Sequence, residues 1–352
     1  MPTLAARVQA IWDRLQRSPA QSPSWVPIPQ ERVDEPANLG SALQANKQYF
    51  RIRVNEIYLT YQRQWFAQYD PMVLVVSEFS YAGQQTVVPF VVGPTMIEKL
   101  GSEVPAGMVF AGTNVAGPHP YRGGDISVTV ILYQTQRQNY ARELLGLIEN
   151  TATVLDLVVP LSTYIKIASV VLDGVESLTG TDSTTNPLIG RRDVFSPVKP
   201  GYFVLTNAPM SSLNNLWVRN GQLVQGPNLA EANRFRGAEY VLYSVATTQR
   251  DDVSVLPFFP TWQRVLEEVV KSSEEPIWRN TKANMAALLG MLYTSPHLTE
   301  THAAELGDEW TETIRTLHNR AVRLSNLSEA RQPAAASELD HVRAKAVSVL
   351  DM

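Results

Sequence analysis

The sequence predicts an α+β fold: an antiparallel β-sandwich with an inserted αα-hairpin and a C-terminal helical subdomain, preceded by an N-terminal helix on a Pro-rich linker. Three observations predict it. Apolar residues alternate at period two from Tyr49 to Leu132 and again from Tyr202 to Val245. The period turns helical from Asn139 to Leu178 and again after Pro257. Five prolines crowd the stretch from Pro19 to Pro36, between the first helical stripe and the first strand. The expected domains are 1–17 (amphipathic helix), 18–47 (Pro-rich linker), 48–256 (sandwich with the helical insertion at 139–180) and 257–352 (helical subdomain).

The N-terminal helix rests on Leu4, Val8, Ile11, Trp12 and Leu15, which form one stripe at helical spacing. So short a helix is marginal alone, so the stripe is expected to dock, on its own fold or on a partner. Arg7, Asp13, Arg14 and Arg17 interrupt any apolar run, so the segment does not read as a signal peptide. The linker is expected to be an extended spacer, with Trp25, Val26 and Ile28 as apolar handles.

Phe50, Ile52 and Val54 alternate with polar residues, and Ile57 and Leu59 then appear on the other parity, which predicts a bulge near Glu56. Met72 to Val76 is an unbroken apolar run, the pattern of a strand covered on both faces. Pro89 marks the strand Thr86 to Val92 as an edge or a bulge. Met108 to Phe110 reads as a short strand, and Ile126, Val128, Val130 and Leu132 as the inward face of a regular one. The segment Thr151 to Leu178 is apolar, but Asp156, Lys166, Asp173 and Pro160 divide it, so buried helices are expected rather than a membrane span. Asn220-Gly221, between two short strands, predicts a type I′ hairpin. These later strands are expected to complete the earlier sheets. In the C-terminal region Thr281 is expected to cap one helix, and a last helix is expected behind Pro333 with Ser337 as its cap.

Composition limits the function. A hydrophobic share of 44% against 18% charged residues excludes global disorder. Thirty basic against 34 acidic residues, a net charge of −4, argues against a nucleic-acid partner. The absence of cysteine excludes disulfides, thiolate metal sites and cysteine nucleophiles. Phosphate-loop, dinucleotide-binding, zinc-protease and nucleophile-elbow patterns are all missing, and His297 and His302 are off the spacing of two helical metal ligands. No cofactor, metal or small-molecule substrate is expected.

What remains is a non-enzymatic cytoplasmic protein acting through protein–protein interaction or self-assembly, as an adaptor or structural component. The alternatives are a membrane-active effector using the 151–178 hairpin and an enzyme with a dispersed hydrolytic site. The candidate interaction residues are the stripe Leu4, Val8, Ile11, Trp12 and Leu15, the loop aromatics Trp65, Phe66 and Tyr69, and His119, Tyr121 and Arg122 in a Gly/Pro loop before a core strand.

Overall fold

The computed structural model describes residues 2–17, 23–34, 39–60, 63–64, 67–93, 108–136, 143–148, 150, 161–180, 185–248 and 252–350. The chain divides into two compact units, Met1–Val255 and Leu256–Met352.

The first unit is built in layers. One five-stranded antiparallel sheet has the order β1 (Ser24–Ile28), β9 (Gly201–Thr206), β13 (Tyr240–Thr248), β2 (Tyr49–Tyr58), β6 (Met108–Pro120). A second contains β5 (Gln84–Val92), β4 (Ala67–Tyr81), β7 (Ile126–Gln136) and β8 (Thr185–Phe195) in that lateral order, with β3 (Arg63–Gln64) folded onto the start of β4. Their facing sides share one core. Phe50, Ile52, Val54 and Ile57 of β2 meet Val73 and Val75 of β4 and Val128, Val130 and Leu132 of β7.

The alternation explains why β4 is apolar throughout. Val73 and Val75 enter the inter-sheet core, while Met72, Leu74 and Val76 enter a second core on the outer face, beneath helices. Those helices are α1 (Leu4–Arg17) and α2 (Leu161–Leu178). Residues 143–148 are helical too, and Leu145 and Ile148 join the same core. The residues between 150 and 161 lie outside those described. The insertion leaves the sheet after β7 and returns at β8, and these strands are neighbours. It therefore lies on the sheet without disturbing strand order.

The bulge near Glu56 is present. The pairing of β2 with β6 shifts register between Val54 and Glu56, and its pairing with β13 shifts opposite the same place. The extra residue turns the parity, so Ile57 still faces the core while Glu56 and Tyr58 face outward. Pro89 lies in β5, which forms an edge of its sheet and pairs with β4. Asn220 and Gly221 both have positive φ, 52° and 71°, as a type I′ turn requires.

Several expectations are corrected. The Pro-rich segment is more than a spacer: its apolar handles seat it as a strand, Ser24–Ile28 forming β1, antiparallel to β9, with Trp25 stacked on Phe203 at 5.4 Å. An edge strand accommodates Pro27, because alternate N–H groups there have no neighbouring strand. The short strand at Met108 runs on to Pro120, so Gly117 to Pro120 is strand rather than loop. Gly117 makes this possible, since at φ +96° a Cβ would overlap the Phe50 carbonyl oxygen and lie 2.9 Å from the Arg51 Cα. The strands around Asn220-Gly221 do not join the sandwich. β10 (Leu216–Arg219), β11 (Gln222–Gln225) and β12 (Asn233–Arg234) form their own small sheet. Its Leu216, Val218 and Leu223 share a core with Tyr58, Val204 and Leu242 on the outer face of the first sheet. Only β9 and β13 complete that sheet.

The second unit holds α3 (Phe259–Val269), α4 (Glu275–Thr294) and α5 (Glu300–Leu350). Trp262 and Trp310 stack at 4.4 Å in its core, beside Val265, Leu288, Leu292 and Ile314. Thr281 is not a cap. α4 begins six residues earlier, with Pro276 in its first turn, and the Thr281 hydroxyl donates back to the Ile277 carbonyl at 2.9 Å. Nor does Pro333 end a helix. The backbone stays helical through it, followed by Ala334, Ala335 and Ala336, the residue type with the highest helix propensity.

Candidate functional site

The N-terminal stripe is seated on its own chain. Val8, Ile11 and Leu15 are buried, and Leu4 and Trp12 half-buried, against α2 and the outer face of β4 and β7. The seat is specific. Leu15 fills the space over Gly190 of β8, where any Cβ would overlap its Cδ2. Arg7 forks onto α2: its Nε donates to Glu176 Oε1 at 2.9 Å and its terminal nitrogen to Asp173 Oδ1 at 2.7 Å. Arg14 donates to the Thr179 carbonyl at 2.9 Å, at the C-terminal end of α2, where helix carbonyls lack partners.

The other sequence-picked residues do not gather around one point. Trp65 and Phe66 lie outside the described residues. Tyr69 is not in a loop but in β4, half-buried, opposite Gln136. Ala67 to Tyr81 is continuous strand, because each inward position finds a partner in β7 or β5. His119 is 3% exposed, stacked on Phe79 at 5.0 Å and edge-on to Phe50 at 5.8 Å. Tyr121 is buried, with its hydroxyl donating to the Gly124 carbonyl at 2.7 Å, and Arg122 donates to Asn46 Oδ1 at 3.3 Å. These contacts fasten the loop before β7.

Two polar networks were not picked out by sequence. In the first, Glu56 is fully buried between the first sheet and the small sheet. It accepts the Leu223 amide at 2.7 Å and an Arg234 guanidinium N–H at 3.2 Å, beside the Tyr240 phenol. Burial pushes its carboxyl up to about 7, against the opposing pull of those donors. The parity change after Asn55 was the sequence signal that turns this acid to the outer face of the sheet, under the small sheet. In the second, the Trp25 indole donates to the Tyr243 hydroxyl at 3.0 Å, which donates to Asp193 Oδ2 at 3.3 Å. Arg191 donates to the same carboxylate at 2.5 Å, and its guanidinium lies 5.0 Å over the Trp25 ring. This closed circuit ties β1, β13 and β8 together. Nothing in local spacing announces it, since its members are up to 218 positions apart.

In the second unit Ser272 and His318 are 2.8 Å apart, but Ser272 is fully buried and its hydroxyl donates to the Val269 carbonyl. His318 stacks on Trp278 at 3.7 Å. Such a pair holds α5 against the turn after α3 and offers no nucleophile to solvent. Among the described residues no cluster of metal-ligating side chains occurs. Among them, too, no helix is long and apolar enough to cross a membrane. No family model, curated protein or solved structure matches the chain.

Proposed function

We propose that the protein is a non-catalytic assembly component, a structural or adaptor subunit that associates with a second copy of itself through the distal part of α5. One observation carries this reading. α5 has 51 residues, which at about 1.5 Å per residue is roughly 76 Å of helix. Its packing positions Ala303, Leu306, Trp310, Ile314 and Ala321 are buried in the second unit. Beyond them Leu324 and Leu327 are 58% and 65% exposed, and the backbone remains helical to Leu350. Exposed leucines at Leu324 and Leu327, three residues apart on one helix, are best covered by a partner surface. A second α5 supplies one of the same length and apolar spacing.

The remaining features support the reading. The acid and histidine buried in the first unit serve internal contacts. Ala168, Val171, Leu172 and Val175 of α2 are spent in the core, which favours assembly over membrane insertion. A cytoplasmic location belongs to the same proposal, since a chain without cysteine needs no oxidising compartment. Light scattering on the full chain tests it. A dimer or higher multimer is expected, and Leu324→Glu/Leu327→Glu should reduce it to monomer with the melting temperature of the first unit unchanged. A monomeric full chain, or a multimer indifferent to those substitutions, refutes the reading.

A further inference from the structure

A cavity of about 540 Å³ opens where the C-terminal ends of α1 and α2 meet the start of β8. Its floor is apolar, made by Ile11 and Leu15 of α1 and Pro187 of β8. Its size lies within the range of about 300–1,000 Å³ usual for small-molecule sites, which combine an apolar lining with a few placed polar groups.

Tyr133 decides what those polar groups are for. Its side chain is 3% exposed to solvent and lines the cavity. A phenol that faces an apolar cavity is the kind of placed polar group that fixes a ligand's orientation. Burial raises the phenol far above its ordinary value, so it stays protonated and can only donate to a charged acceptor. Arg17 adds a second donor at the rim and has no ion-pair partner among the described residues. Arg14 is already committed, since it caps the Thr179 carbonyl and offsets the negative end of α2. Thr179, Thr185 and Asn186 complete the polar side. Among the described residues the lining contains no acid to repel an anion.

We infer that this cavity binds a small amphipathic carboxylate, its head group held by the Tyr133 hydroxyl and Arg17 and its chain laid against Ile11, Leu15 and Pro187. Two floor residues belong to the α1 stripe, so an occupied cavity also fastens α1 to the sheet. The site lies in the first unit and stands apart from the association of α5.

The test is calorimetric titration of the full-length protein with octanoate. Acetate serves as a head group without a body, and octanol as a body without a charge. Saturable octanoate binding is expected, with protection of the residue 4–17 amides against hydrogen exchange. Tyr133→Phe and Arg17→Gln should each weaken it about tenfold, the loss of one charge-assisted hydrogen bond. Tyr133→Phe should leave the melting temperature of the unliganded protein nearly unchanged, which separates lost recognition from lost folding. No saturable octanoate binding overturns the inference. So does binding unaffected by either substitution, or matched by octanol or by acetate.

Discussion

The Glu56 carboxylate accepts the backbone amide of Leu223 at 2.7 Å, joining a central strand of the sandwich to a strand of the small outer sheet. The bond is wholly shielded from water, and the acid is held up to about 7 by that shielding.

The pH dependence follows from the direction of that shift. Folded Glu56 holds its proton more tightly than the unfolded chain does. Its contribution to stability is full below the ordinary value of 4.5 and is lost as pH rises through about 7. The difference corresponds to about 3 kcal/mol. Thermal melts of Glu56→Gln should show the slope between pH 4.5 and 7.5 flattened relative to the parent chain. An unchanged slope would place the titrating group elsewhere.

Legibility in the sequence tracked the range of the interaction that decides each element. The strand Ile126 to Leu132, the run at Met72 and the Asn220-Gly221 turn were readable because alternation and turn chemistry are local. The bulge at Glu56 was readable as a parity change, but its outcome was not, because Leu223 and Arg234 lie 167 and 178 positions away. The Pro-rich segment misled for a related reason. Proline content measures stiffness, whereas β1 exists because Trp25 finds Phe203 and Tyr243. His119 misled through its glycine and proline neighbours, whose turn chemistry hid a position inside a ring of aromatics.

The inter-sheet core gives the most severe substitution. Val128 is fully buried between the sheets. Val128→Asp would place a carboxylate there without a partner, a cost larger than an ordinary domain's whole stability margin. It should yield insoluble protein or one lacking a cooperative melt. A soluble variant with the parent melting curve would contradict the assignment of β7.

The seat of α1 has its own test. Gly190→Leu puts a side chain into the space that Leu15 occupies. The expected loss is about 2 kcal/mol, typical of overpacking. Hydrogen exchange should show the amides of residues 4–17 deprotected while those of β7 stay slow. Continued protection of α1 would show that Leu15 has another place to go.

Strand order has a consequence for how the chain is made. β13 pairs with β2 on one side and β9 on the other, yet Tyr58 and Tyr240, stacked 5.6 Å apart, are among the most widely separated partners in the chain. Until β13 leaves the ribosome, β2 is left with an open, apolar edge. At about 5–20 residues per second, the wait from Tyr58 to Tyr240 is roughly 10–40 s. The first sheet therefore cannot close vectorially behind the growing chain, and the nascent protein carries an adhesive β-edge through most of its synthesis.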